Sequence, residues 1–276
     1  MTILLNEIAA MLGRADIADT NAEAARIVKA AQALKSANCI GMARAMAERR
    51  AAGEPLAYVT GHEMFMGIDL LADKGALIPR KETEPLCNKA LEVLRISGLD
   101  EPRVIDMCCG SGNLACAIAH YQPNTRVWAS DLTNGSITLT RRNVQHVGVS
   151  DRVVVVQGDL FAGLEGYGLE GTIDAIVCAP PFISQHKLAN ESAGLLEYEP
   201  REAFDGGPYG LSIQQRIVRE ALPFLRLGGI LIFETGLGQE RPAKMLLDRA
   251  KAYGDIQQIE NGEGEVRVIS ARKCVL

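Results

Sequence analysis

One short segment of this sequence has a residue spacing that could build a ligand site. In residues 104–112 (VIDMCCGSG) an apolar run ends at Asp106, and Gly110 and Gly112 follow closely. Glycine lets the backbone turn tightly and approach a ligand. An acidic side chain just before such a turn can receive an ammonium group. The segment therefore predicts a binding loop for a ligand with a positively charged group.

Two further carboxylates stand after later apolar runs. Asp131 follows Arg126–Ser130, and Asp159 follows Val153–Gln157. Because ligands of parallel α/β sheets bind at the carboxyl ends of strands, both should reach the same ligand. A carboxylate at Asp131 can accept hydrogen bonds from two ribose hydroxyls, and Asp159 can reach an adenine amino group. The predicted cofactor-binding residues are Asp106, Cys108, Gly110, Gly112, Asp131, Leu132, Asp159 and Leu160.

The same glycines also match a dinucleotide-binding pattern. Gly110, Gly112 and Ala115 satisfy its relaxed Gly-x-Gly-x-x-Ala form. Asp106 would repel a pyrophosphate but attract the ammonium of S-adenosylmethionine (SAM), and a dinucleotide fold places its glycine closer to the strand. These details favour SAM as the cofactor over NAD. The alternative is an ordinary strand–helix turn with solvated carboxylates.

Motifs along nearly the whole chain carry a family resemblance. They are residues 53–58 (GEPLAY), 77–84 (LIPRKETE), 176–182 (IVCAPPF), 199–201 (EPR), 205–207 (DGG), 228–229 (GG) and 234–236 (ETG). With the loop at 104–112, they resemble the HemK-type release-factor glutamine N5-methyltransferase family. The resemblance implies that Asp106, Gly110 and Gly112 line the SAM methionine end, Asp131 binds the ribose, Asp159 lies near the adenine, and Pro180, Pro181 and Phe182 line the acceptor site. It also implies a linker wall at the cleft with Arg80, Thr83 and Glu84.

The acceptor segment departs from the family pattern. Where the family usually has Asn-Pro-Pro-Tyr, this chain has Ala179, Pro180, Pro181 and Phe182, the four predicted catalytic-site residues. The Asn oxygen would orient a glutamine amide by accepting its hydrogen, and an alanine side chain cannot. We therefore expect inefficient methylation of a release-factor glutamine and favour a small amine or amide acceptor in specialised metabolism. The alternative is that Ala179 is only a packing residue and that the backbone carbonyls suffice to orient the glutamine amide.

Three other functions stay open at this point. SAM could itself be the substrate, cyclising to an azetidine amino acid and methylthioadenosine. The chain could be a release-factor methyltransferase with a degenerate loop. It could also be a catalytically silent SAM-binding module that acts through a protein partner. The predicted partners are thus a small-molecule acceptor or SAM itself, with the oligomeric state undetermined.

Composition bounds these functions. The 276 residues carry a formal charge of −5, and the sequence contains no run of five basic residues. Nothing in the composition therefore predicts a nucleic-acid interface. The N-terminal residues lack the basic region of a signal peptide, and no apolar stretch has the length of a membrane span. The seven cysteines show no metal-ligand spacing, and reduced thiols are the default in the cytoplasm. We expect a cytoplasmic enzyme that binds neither membranes nor nucleic acid and holds no metal.

Alternating apolar runs must position these residues. Helical periodicity covers the first 52 residues, with a capping box at Thr20, and residues 53–83 predict a β-hairpin linker. Residues 84–276 predict the SAM-binding domain. Its strand candidates are 103–107, 126–130, 153–157, 173–178, 230–233, 257–260 and 265–271. Short apolar strands with helical crossovers predict an α/β, doubly wound, mostly parallel sheet of seven strands, the class I methyltransferase sheet, with one antiparallel strand in the terminal hairpin.

Overall fold

The computed structural model of the protein describes residues 2–190 and 196–275. The chain divides into two compact units, one made of Met1–Glu63 with Ala72–Lys74 and the other of Met64–Leu71 with Gly75–Leu276. The boundary thus runs through the predicted linker. The predicted division into residues 1–52, 53–83 and 84–276 stays a prediction.

The first unit is helical. Its helices are α1 (Thr2–Gly13), α2 (Thr20–Ala33), α3 (Cys39–Ala51) and α4 (Leu56–Thr60). Ile8, Leu12 and Ile27 are fully buried in its core, as the helical periodicity predicts. The capping box at Thr20 was wrong by one residue, because Asp19 is the N-cap and its carboxylate accepts from the Ala22 amide.

A short hairpin follows, with β1 at His62–Phe65 and β2 at Ile68–Leu71. The hairpin lies within the predicted linker. Helix α4 just before it was missed, because its five residues lie between Pro55 and the left-handed Gly61 and are too few to show a period.

The second unit contains the predicted mixed sheet. Its strands are β3 (Arg103–Met107), β4 (Arg126–Asp131), β5 (Val153–Gln157), β6 (Ile173–Cys178), β7 (Leu225–Glu234), β8 (Tyr253–Glu260) and β9 (Val266–Lys273). Their order is β5-β4-β3-β6-β7-β9-β8, and only β9 runs against the others. Both the doubly wound class and the antiparallel strand of the terminal hairpin are confirmed.

Helices cover both faces of this sheet. These helices are α5 (Glu84–Ser97), α6 (Asn113–Tyr121), α7 (Asn134–Val147), α9 (Ser212–Glu220) and α10 (Glu240–Ala250), and the short α8 (Gln185–Asn190) follows β6. Along β3, Val104 packs into the core under α5, α6 and α7, whereas Ile105 packs into the core under α9 and α10. Strands buried on both faces are continuously apolar, which explains why most strand bounds could be read from the sequence.

The chain leaves β3 toward one side of the sheet and later resumes at β6 on the other side. This change of direction opens a crevice at the carboxyl ends of the two strands, where α/β sheets bind their ligands. Among the described residues, no helix is both long and apolar enough to cross a bilayer.

Candidate active site

A cavity of about 240 Å³ lies at this crevice. Its wall includes residues that follow four parallel strands: Cys108 after β3, Leu132 after β4, Gly158 after β5 and Ala179 after β6. The sheet therefore brings residues from separate parts of the sequence to one edge, as predicted.

The loop after β3 adopts a backbone conformation that glycine favours. Gly112 has a φ of 78°, and a Cβ atom built on it would lie 2.7 Å from Cγ2 of Thr140. Cys108 and Gly110 also have positive φ angles, of 58° and 56°. The tight turn lets the loop pass beside the cavity before α6 begins, and Gly112 is required there because a side chain would meet Thr140.

Asp131 lies on the wall of the cavity and holds two loops together. Its Oδ2 accepts a hydrogen bond from the Gly110 amide at 2.9 Å, and its Oδ1 accepts one from the Thr133 amide at 3.0 Å. Oδ1 also accepts from the Thr133 hydroxyl at 3.3 Å, so Oδ2 is the oxygen that retains a lone pair for a ligand.

Asp106 takes a different position from the one predicted. It is fully buried and lies behind the cavity wall, where Oδ2 accepts from the Ala115 amide at 2.9 Å in the first turn of α6. Oδ1 is buried without a hydrogen-bond partner. Burial raises the pKa of this carboxyl to about 8, and the charge of Asp131 adds to the rise. The contact of Asp106 with a ligand ammonium stays a prediction.

The far end of the cavity carries the remaining predicted cofactor residues. Leu132, Asp159 and Leu160 all line it. Leu132 is 56% exposed, an apolar surface that a flat ring could cover. Asp159 also accepts from Arg216 at 2.8 Å, a partner that the sequence alone did not suggest.

A second cavity, of about 450 Å³, shares part of its wall with the first. Ala179 lines both cavities, Pro181 lines the first, and Pro180 and Phe182 line the second. The four predicted catalytic-site residues therefore lie where the two cavities meet.

Two buried carboxylates tie the remaining wall of the second cavity together. Glu199 accepts from the Ile78 amide at 3.0 Å and forms an ion pair with Arg80. Arg80 and Thr83 line this cavity, as the resemblance implied. Glu84 does not line it, because its carboxylate accepts from the Met66 amide at 3.2 Å.

The second carboxylate, Glu234, ends β7 and is only 3% exposed. It accepts from the Thr83 hydroxyl at 2.8 Å and from the Arg267 guanidinium at 3.2 Å. Burial raises its pKa above the ordinary value, although both partners favour its charged form. Sequence reasoning missed Arg267 as a site residue. The only signal was its place on the strand after the terminal turn.

Two cysteines near the site, Cys109 and Cys178, are buried. Burial raises the pKa of Cys109 and of Cys178 well above the ordinary thiol value. Because the thiolate is the reactive form of cysteine, neither is suited to act as a nucleophile.

The sequence is similar to those of known methyltransferases. A sequence profile described as "Methyltransferase small domain" matches residues 89–196. The chain is 37% identical to the release factor glutamine methyltransferase of Moorella thermoacetica, over 81% of this chain and 77% of that protein. It is 32% identical to the enzyme of the same name from Bradyrhizobium diazoefficiens, over 94% and 83%. The chain belongs to the release factor glutamine methyltransferase family.

Solved structures agree on the fold. A human methyltransferase 10 domain containing protein superposes with a TM-score of 0.55 and 17% identity, over 74% of this chain and 88% of that one. TYW2 of M. jannaschii, solved in complex with AdoMet, superposes with a TM-score of 0.50 and 13% identity, over 77% and 84%. The protein is a SAM-dependent transferase with the class I methyltransferase fold, and SAM is its cofactor.

The first cavity fits this cofactor. Oδ2 of Asp131 offers spare acceptor capacity for a hydroxyl group, and Leu132 offers an apolar surface for a ring. The unpaired Oδ1 of Asp106 behind the wall would interact favourably with a nearby positive charge.

Proposed function

We propose that the protein transfers the SAM methyl group to a nitrogen atom held in the second cavity. The observation that carries this proposal is the position of Ala179, which lines both cavities. SAM supplies a methyl group that its sulfonium makes electrophilic. Residues at the junction would hold the acceptor nitrogen in line with that methyl and exclude water. Such positioning supplies a large part of the rate of a bimolecular reaction.

In this proposal each predicted cofactor residue contacts or stabilises a different part of SAM. Asp131 accepts hydrogen bonds from the ribose hydroxyls, while Gly110 and Thr133 hold its carboxylate in place. Leu132 packs against the adenine, and Asp159 lies near its amino group. Asp106 fixes the first turn of α6 and stabilises the cationic end of the cofactor from behind the wall.

The first acceptor to consider is the glutamine side chain of a release factor. Two relatives with this name are 32% and 37% identical to the chain over most of both sequences. They favour modification of a protein in the cytoplasm over specialised metabolism. The acceptor would then be a carboxamide, whose nitrogen is a weak nucleophile and requires careful orientation.

One observation favours a second acceptor, a free amine. Ala179 has no side-chain acceptor for amide hydrogens, and Phe182 adds only an apolar ring. An amine needs no such alignment, and an apolar pocket favours its neutral, nucleophilic form.

One experiment separates these functions. The protein is incubated with methyl-labelled SAM and either a peptide containing Gly-Gly-Gln, a panel of small primary amines or no acceptor. Labelled methylglutamine supports the first acceptor, and a labelled amine supports the second. Two outcomes would overturn methyl transfer. One is enzyme-dependent release of methylthioadenosine together with an azetidine amino acid in the acceptor-free reaction, which shows SAM cyclisation. The other is tight SAM binding without turnover, which shows a silent binding module.

A further inference from the structure

The guanidinium of Arg267 lies in the wall of the second cavity with unused donor capacity. Its side chain is only 13% exposed, and its carbon Cζ lies 5.7 Å from the ring centroid of Phe182. Arginine carries five N–H groups. Among the described residues, Nη2 donates to Glu234, whereas Nε is buried with no hydrogen-bond partner. The only hydrogen bond of this guanidinium among the described residues is the one to Glu234, so a ligand oxygen in the cavity can be bound by the donors that Glu234 leaves unused.

The charges around the cavity favour an uncharged oxygen. Arg267 is already paired with Glu234, and Arg80 is paired with the buried Glu199. A further acid, Glu82, lines the same cavity and is exposed to solvent. Each cation therefore has an acidic partner, and the wall has no excess of positive charge with which to attract a carboxylate. What remains unsatisfied at Arg267 is hydrogen-bond donation.

The neighbouring surfaces suit a flat group. Pro180, Phe182 and Phe204 contribute apolar faces to the same cavity. An amide group is planar, can stack on such faces and presents a carbonyl oxygen in its plane, which is where a guanidinium donates. A free ammonium group, by contrast, has no acceptor to offer Arg267.

We propose that Arg267 binds an amide carbonyl oxygen of the acceptor, in preference to a free carboxylate. This rests on the proposed function, because it takes the second cavity as the acceptor site. Arg267 would thus select an acceptor with a peptide-like backbone, and it would act on acceptor binding more than on the methyl transfer itself.

The test compares two forms of one peptide, acetyl-Gly-Gly-Gln with a neutral methylamide end and the same peptide with a free carboxylate. The wild-type protein should favour the neutral form. Arg267→Gln should raise the KM of the neutral peptide about tenfold while changing kcat less than about threefold. Arg267→Lys keeps a cation beside Glu234 but lacks the planar fork of donors, so it should also raise KM. The matched control is Arg272→Gln, an exposed arginine of the same strand that pairs with Asp255 and should leave KM unchanged.

Binding of the neutral peptide to protein saturated with S-adenosylhomocysteine separates this inference from the proposed function. Binding that Arg267→Gln weakens about tenfold, without turnover, would support the inference and refute methyl transfer to this acceptor. Turnover with the same KM in the wild-type protein and Arg267→Gln would refute the inference alone. No binding of either peptide, or preference for the free carboxylate, would also overturn it. Thermal unfolding and SAM affinity of each variant show whether the fold and the first cavity are intact.

Discussion

The two cavities are held together by different kinds of hydrogen bond. At the first cavity, proposed to hold the cofactor, Asp106 and Asp131 accept from the backbone amides of Ala115 and Gly110, 9 and 21 residues away in the sequence. At the second cavity, Glu234 accepts from the side chains of Arg267 and Thr83, 33 and 151 residues away.

This difference has a consequence for substitutions. A carboxylate that accepts from backbone amides can be removed without leaving a buried charge, and the effect stays near the loop that it held. A carboxylate that pairs with a buried side chain leaves that partner uncompensated when it is removed. We therefore expect the second cavity to be the more sensitive region in stability and the first to be more sensitive in SAM affinity.

The largest expected effect is that of Glu234→Ala on stability. The substitution leaves the Arg267 guanidinium buried without its carboxylate, and breaking a buried ion pair of this kind costs about 3 kcal/mol. Urea unfolding measures the change. The control is Asp248→Ala, which breaks an exposed pair with Lys244 and should cost less than about 0.5 kcal/mol. If Glu234→Ala and Asp248→Ala lower the free energy of unfolding equally, the second cavity is not especially sensitive in stability.

Next in size is the effect of Asp131→Ala on SAM affinity. The change removes the proposed ribose acceptor and the anchor of Gly110 and Thr133, so calorimetry should show binding weakened about 100-fold, or about 2.7 kcal/mol. Asp159→Ala is the comparison, since that carboxylate is 58% exposed and shared with Arg216, and should weaken binding less than about tenfold. Unchanged affinity in Asp131→Ala would exclude Asp131 from the ribose.

Ala179→Asn should increase the methylation of a Gly-Gly-Gln peptide by about tenfold, because an Asn oxygen restores an acceptor for the amide hydrogens. Ala203→Asn is the matched control, since Ala203 also lines both cavities. Rates measured with labelled SAM should rise only in the first variant. Efficient glutamine methylation by the wild-type protein, with no gain in Ala179→Asn, would show that this position does not limit the acceptor.

The smallest expected effect is proton release when SAM binds. The carboxyl of Asp106 has a pKa near 8 and is mostly protonated at pH 7, and a cationic ligand nearby lowers that pKa. Affinity should then rise as the pH increases toward 8 and level off above it. Titrations in buffers of different ionisation enthalpy should detect a fraction of a proton released per SAM bound. Asp106→Asn keeps an acceptor for the Ala115 amide and should abolish the proton release that accompanies SAM binding. If this variant releases as many protons as the wild-type protein, the proton comes from another group.

The contrast between the cavities also explains what the sequence could reveal. The cofactor loop was predictable because its glycines and carboxylates follow short apolar strands at fixed spacing. The pairing of Thr83 with Glu234 was not, since no local pattern links residues so far apart. Asp106 shows a further limit, because a spacing that brings a carboxylate to a loop does not say which side of the wall it faces.

The secondary structure shows the same limit at a smaller scale. Strand β5 was predicted with its observed bounds because four consecutive valines form a continuous apolar run. Strand β7 begins at Leu225, five residues earlier than predicted, since Gly228 and Gly229 interrupt the apolar pattern. Gly229 packs against the neighbouring strand, where a Cβ atom would lie 2.8 Å from the Ile173 oxygen, so a residue that weakens the pattern in sequence is required by the sheet.

Among the residues that line the two cavities, Arg267 comes latest in the sequence. Because β9 runs against β7, its beginning meets the end of β7, and this brings Arg267 to Glu234 at the edge where the parallel strands finish. During synthesis on the ribosome, Glu234 and the residues of the first cavity emerge before Arg267 does. The wall proposed to select the acceptor is therefore the last part of the site to be completed.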